Sequence, residues 1–307
     1  MLLRILHHTQ YRYEAPVLLA QHLAHLCPLD LAGQRVVSHH LLLQPNPAQR
    51  SASHDTFGNP RVFFALQTPH DVLDVTADSL VTTLPAPAWP TESPAWEAVR
   101  DAFVYRVGSV FDTASEFTFA SPYVPRDDAF VAFARSAFAP GRPLLAASRA
   151  LMEKIHTELR YESASTEVNT PALQALKQRK GVCQDFAHIM LGCLRSLGLP
   201  ARYVSGYLLT RPPPGKPRLI GADASHAWVS VYHSGQWYDF DPTNNRCGVG
   251  TPGEDYITLA TGRDFGDVSP LRGVIHGGGA HTLHVGVTVA PPEDWPQPTH
   301  RDDDSGA

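Results

Sequence analysis

Residues 179–208 read RKGVCQDFAHIMLGCLRSLGLPARYVSGYL, and the fold is decided here. Cys183, Phe186, Ala187, Met190, Leu191, Leu194 and Leu197 recur at i, i+3, i+4 and i+7, the spacing of one apolar helical face. Gly198 and Pro200 end that helix, since glycine accepts the left-handed cap conformation and proline cannot continue the ladder. After Pro200 the period changes. ARYVSGYLL (201–209) alternates as a strand does.

Downstream, HAWVSVYH (226–233) alternates strongly and GQWYDFDP (235–242) follows it across Ser234–Gly235. A two-residue turn there pairs His233 with Gln236 and sets Trp228 opposite Asp241. Residues 226, 228, 230 and 232 then share one face with 237, 239 and 241. His226 becomes the diagonal neighbour of Asp241, roughly 7–8 Å away between backbones, a gap that an imidazole and a carboxylate close with a hydrogen bond. A three-residue loop would reverse the parity, so the reading hangs on the turn.

Cys183 occupies the first turn of the helix, where free N–H groups and the macrodipole favour a thiolate. The same N–H groups can receive the oxyanion of a tetrahedral intermediate. A cysteine on an apolar helix is also an ordinary core residue, and position alone leaves both readings open. His226 and Asp241 likewise have structural readings, as a core histidine and an Asp-Pro turn residue. Together the three form the arrangement that nucleophilic catalysis requires: a thiol, a base that reaches it, and a carboxylate that fixes the base's tautomer. Asp185, two residues into the helix, complements the dipole or holds a nearby cation.

The remaining motifs are weaker. His22-x-x-His25 and His281-x-x-His284 lack the carboxylate or cysteine company of a metal site, and Gly277–Gly278–Gly279 leads into a strand rather than a phosphate-binding helix. No cofactor and no metal are expected. Upstream, Leu144, Leu151, Ile155 and Leu159 suit one helical face, and a short helix is predicted from Thr170–Pro171 to Gly181. The first 84 residues read as strands, with VVSHHLLLQP and RVFFALQTP rich in β-branched and aromatic residues. LPAPAWPTESPAW (84–96) has the proline density of a linker, and residues 97–140 show no clean period.

The chain has 307 residues, 43% hydrophobic and 18% charged, with a net charge of −5 that gives no nucleic-acid footprint and no basic membrane patch. No apolar run reaches the length of a membrane span, and Arg4 interrupts the start, so no signal peptide is expected. Four sparse cysteines without CxxC spacing fit a reduced, cytoplasmic setting.

RKGVCQDFAHIMLGCLRSLGLPARYVSGYL, DASHAWVSVY and WYDFDPTNN together resemble the transglutaminase-like cysteine enzyme superfamily, and Cys183, His226 and Asp241 match its nucleophile, base and carboxylate. HHTQYRYEAPVLLAQHLAHLCPLD, HDTFGNPRVFFALQTPHDVLDV and GRDFGDVSPLRGVIHGGG resemble the flanking regions of bacterial members, with Leu29 standing where a basic residue is expected. The resemblance implies an α+β, papain-like core, a Cys-bearing helix on an antiparallel sheet. It also implies acyl transfer through a thioester. The expected plan is an N-terminal β-rich domain (1–95), a catalytic domain (96–290) and a disordered tail (291–307). The expected activity is a thiol hydrolase or peptidase acting on a peptide or protein-like amide. An amine acyltransferase and a non-catalytic binding module of the same fold stand as alternatives, the latter disfavoured by the intact Cys183, His226 and Asp241 set.

Overall fold

In the first strand Leu3, Ile5, His7 and Thr9 are buried and the residues between them partly exposed, the period-two signature of a strand with one covered face. The computed structural model describes residues 1–108, 110–162, 170–210, 221 and 225–295. The chain opens with β1 (Leu2–Ala24), β2 (Gln34–Gln44), β3 (Gln49–His54), β4 (Pro60–Leu66) and β5 (His70–Thr83). Next come α1 (Trp96–Ala102), a 3-10 turn at Thr113–Thr118, α2 (Asp128–Ala134), α3 (Leu144–Glu158), β6 (Arg160–Tyr161), α4 (Ala172–Gln178), β7 (Lys180–Gly181) and α5 (Cys183–Ser196). The rest runs β8 (Ala201–Leu208), β9 (Ser225–His233), β10 (Gln236–Asp241), β11 (Arg246–Val249), β12 (Tyr256–Gly262), α6 (Phe265–Val268), β13 (Leu271–Gly277) and β14 (His281–Ala290). Among the described residues no helix is long and apolar enough to cross a membrane.

Two antiparallel sheets carry the architecture. One has the order β11-β10-β9-β8-β12, and α5 packs on it. Phe186, Ala187, Ile189 and Leu194 of the helix share a core with Tyr203, Val229, Val231 and Phe240 of the strands. Each large apolar side chain so buried contributes about 1.5–3 kcal/mol. The helix exceeds the one-faced expectation, because every residue from Asp185 to Arg195 is buried. Gly192 makes the second covering possible: a Cβ there would lie 2.8 Å from the Phe130 ring of α2.

The other sheet has the order β2-β5-β1-β4-β3, and both β13 and β14 return to pair with β1. From Arg4 to Arg12 β1 lies between β5 and β14, and from Ala20 to Ala24 between β13 and β4. The exchange happens around Pro16, which has no N–H to give a neighbour. Residues 271–290, expected with the catalytic domain, thus belong by pairing to the N-terminal sheet and not to the sheet that carries His226.

The two sheets meet through Leu3, Ile5 and Val81 against Tyr207, Ile257 and Leu259. Two buried carboxamides seal the join. Gln34 receives the Thr258 N–H at 2.7 Å and donates to the Thr258 carbonyl at 2.8 Å; Asn59 does the same at Thr261, at 2.8 and 2.7 Å. β12 is an outer strand of its sheet, so these amides satisfy backbone groups that lack a strand partner.

Two local expectations shift. The helix predicted from 170 to 181 spans only Ala172–Gln178, with Pro171 as its N-cap, because Arg179 turns left-handed (φ 56°) and sends the chain into β7. Of the tail expected to be disordered, Pro292–Asp294 form a 3-10 turn and Trp295 lies under the Arg4 guanidinium, while 296–307 fall outside the described residues.

Candidate active site

Gly181, Val182 and Cys183 set the start of α5. The Asp185 carboxylate folds back to accept the Val182 N–H at 2.8 Å. It comes so close that a Cβ on residue 181 would sit 2.6 Å from it, which only glycine tolerates. Cys183 follows as the first helical residue, half-buried, with the open N–H end of the helix about it.

His226 comes from the hairpin. Ser234 and Gly235 both have positive φ, 52° and 78°, as a type I′ turn requires. His233 pairs with Gln236 and Val229 with Phe240, which keeps the expected parity. His226 Nε2 meets Asp241 Oδ2 at 2.7 Å. That leaves Nδ1 for Cys183, whose thiol lies near enough to the ring to raise its pKa. The structure therefore brings Cys183, His226 and Asp241 together, from a helix start and two neighbouring strands.

Asp241 is fully buried and accepts five hydrogen bonds. Oδ2 takes the imidazole, the Asn244 side-chain amide at 2.8 Å and the Tyr256 hydroxyl at 2.7 Å. Oδ1 takes the backbone N–H groups of Thr243 and Asn244 at 2.8 and 3.2 Å. Burial raises its pKa, but these donors and the imidazolium outweigh that and hold the carboxyl below the usual range. Burial likewise works against charge on His226. The bonds to Asp241 and Cys183 and their negative charges win, and push the imidazole up to about 10. Asn244 Nδ2 also lies 3.2 Å from Nε2, but with the ring proton given to Asp241 its amide donates to the carboxylate instead.

Trp228 lies beside the imidazole, rings 29° apart with centroids at 6.1 Å, and meets the Tyr256 ring edge-on at 5.4 Å. Asn244 and Tyr256 escape a reading of the sequence alone. Asn244 stands in WYDFDPTNN, three residues past Asp241, where an Asx-type turn was the available signal. Tyr256 carries no local signal, because β12 reaches the site only through sheet pairing with β8.

A family model for the bacterial transglutaminase-like N-terminal region matches residues 3–82, and one for the transglutaminase-like superfamily matches residues 131–242. An uncharacterized protein of Mycobacterium tuberculosis is 41% identical over 298 residues, covering 94% of this chain and 92% of its own length. The chain belongs to the transglutaminase-like superfamily. A second relative, an uncharacterized protein of Mycobacterium leprae, is 34% identical over 295 residues, 94% of this chain and 98% of its own. The crystal structure of a proposed cysteine protease from Cytophaga hutchinsonii superposes with a TM-score of 0.70 at 21% identity, covering 95% of this chain and 91% of that one. The fold shared with that structure thus covers the N-terminal β-rich region as well as the core.

Proposed function

We propose that this transglutaminase-like protein is a thiol hydrolase that cleaves an amide or peptide bond, with Cys183 as nucleophile, His226 as acid and base, and Asp241 as the group that orients the imidazole. The observation that carries this reading is the line Cys183–His226–Asp241, with the carboxylate locked by five donors and the imidazole held charged beside the thiol.

The sulfur adds to the substrate carbonyl, and first-turn N–H groups of α5 receive the oxyanion. The carbonyl re-forms as the C–N bond breaks, and His226 passes its proton to the departing amine, leaving a thioester on Cys183. Water then adds with His226 taking its proton, the acid leaves, and the thiolate–imidazolium pair is restored. Asp241 keeps Nε2–H directed toward itself, so that Nδ1 serves both steps.

The substrate class proposed is a peptide or protein-like amide. The test incubates the protein with peptide and isopeptide libraries, with and without an added primary amine, and reads product masses. Hydrolysis adds the mass of water across the cleaved bond even when amine is present, and Cys183→Ala removes it. Products carrying the amine instead would assign the protein to acyl transfer. Products unchanged by Cys183→Ala would end the reading.

A further inference from the structure

β10 carries two buried aspartates two residues apart, and only one of them touches His226. Asp241 is bonded to it; Asp239 is 3% exposed and faces the same side of the sheet one pleat away. A buried carboxylate is costly unless fully partnered. Its partners are specific: Oδ2 accepts the Trp228 indole N–H at 2.9 Å, and Oδ1 accepts the Ser230 hydroxyl at 2.5 Å. The Trp228 ring is therefore held at its polar end by Asp239, while its flat face lies along the imidazole.

Space for that ring is built in from the other side. Gly206 pairs with His226 across β8 and β9, and a Cβ there would come within 2.5 Å of the indole and 2.1 Å of the Ile257 carbonyl. Tyr256 closes the third side, edge-on to Trp228 and tilted against the imidazole at 6.0 Å. His226 thus has Cys183 and Asp241 at its two nitrogens, Tyr256 from β12 and Asn244 from the turn near Asp241, and the indole on its face. Asp239 is faced by Ser230, Trp228 and the half-buried Arg202 of β8, whose guanidinium lies 4.0 Å over the Trp237 ring.

We propose that Asp239 is a positioning residue for the Cys183–His226 pair: it pins the Trp228 indole through Nε1–H, and the pinned indole holds the imidazole in line between thiol and carboxylate and favours its charged form. An aromatic face attracts a cation, and a fixed ring gives that attraction without a mobile side chain to order. Asp239 acts through Trp228 alone, so its effect must vanish when the indole N–H is absent. This inference rests on the Cys183–His226 reading above and deepens it.

The experiment measures the rate of Cys183 alkylation by iodoacetamide from pH 5 to 8 in the full chain, by peptide mapping, beside thermal melts. Asp239→Leu should slow alkylation at pH 6 by between roughly fivefold and thirtyfold, the range expected for losing a desolvated cation–aromatic contact. Trp228→Phe, which keeps a ring but no N–H, should show a similar loss. The double variant should lose no more than either, because coupled residues are non-additive. Asp239→Asn still accepts the indole N–H and should stay within about threefold of the parent. A folded Asp239→Leu with the parent's profile, or a double variant losing the product of the single effects, overturns the proposal. If Asp239→Leu does not fold, an unchanged profile in Trp228→Phe overturns it instead. His226→Ala separates the two layers: a profile that ignores His226 removes the Cys–His pair itself, whereas one that responds to His226 but not to Trp228 removes only the role given to Asp239.

Discussion

His226 is 9% exposed and His7, in the N-terminal sheet, is 2% exposed, yet of the two only His226 holds a proton on both nitrogens at neutral pH. Burial lowers the pKa of both. His226 has a carboxylate on one nitrogen and a thiol on the other, and ends up at about 10. His7 has only the Tyr207 hydroxyl, at 2.8 Å, and falls to about 4. His22, stacked on Phe64, also falls to about 4. His188 makes the contrast sharper because it lies on the same helix as Cys183. It is fully buried, accepts the Phe265 N–H at Nε2, and is pushed to about 3 by burial and the nearby Arg195. His22 Nε2 and His188 Nδ1 are buried without a hydrogen-bond partner among the described residues. Depth therefore does not decide whether an imidazole is charged here. The number of anionic neighbours does.

The largest expected effect is on stability against pH. His7, His22 and His188 refuse a proton that the unfolded chain takes up below about 6.5, so each withdraws stability as pH falls from there toward 4 or 3, at up to about 1.4 kcal/mol per pH unit. His226 has the opposite sign. Its contribution is whole below about 6.5 and is lost as pH rises through about 10. Urea titrations from pH 4 to 10 should show stability falling steeply on the acid side, and His226→Gln should flatten only the alkaline fall. A variant that flattened the acid side instead would reverse the assignment of charge.

A smaller effect tests whether full partnering is what makes buried polar groups stabilising. Asn59 sits in the same join of the sheets as His7 but has every bond made, to Thr261, and to Asp55 at 2.7 Å. Asn59→Ala strands two backbone groups of β12 and should cost about 2–4 kcal/mol by chemical denaturation. A cost near zero would mean that water replaces the amide and that the join is wetter than its burial indicates.

The smallest effect lies at the edge of the charged site. Tyr256→Phe removes one of five donors to Asp241 and leaves the ring that abuts Trp228 and His226. Hydrolysis should fall by about tenfold, near the worth of one hydrogen bond to a charged group. The melting temperature should move little. A loss as large as that of Asp241→Asn would make Tyr256 a primary partner of the imidazole and not an auxiliary one.

What the amino-acid sequence conveyed was local and periodic. The start of α5 at Cys183 and its end before Gly198 follow from spacing, and the Ser234–Gly235 turn alone sets the parity that brings His226 to Asp241. Non-local pairing was illegible. Nothing in LRGVIHG or HTLHVGVTVA states that they pair with a strand some 250 residues earlier, as Val274 does with Gln21. Two-sided burial was equally hidden. The apolar period of α5 marks the face on β9, whereas the face on α2 is made by Gly192, whose meaning appears only once Phe130 is beside it. Asp239 looked like any strand aspartate until Trp228 turned its indole N–H toward it.

The pairing of β1 with β13 and β14 orders events in time. β1 precedes by far the strand that completes it, since Arg4 to Tyr13 pair with His281 to Ala290. The sheet carrying His226 and Asp241 has all its strands by Gly262. By pairing alone, the sheet with His226 is complete in fewer residues of chain than the N-terminal sheet, the reverse of an N-terminal unit that closes on its own first. β1 keeps one side open until strands some 250 residues further along the chain cover it.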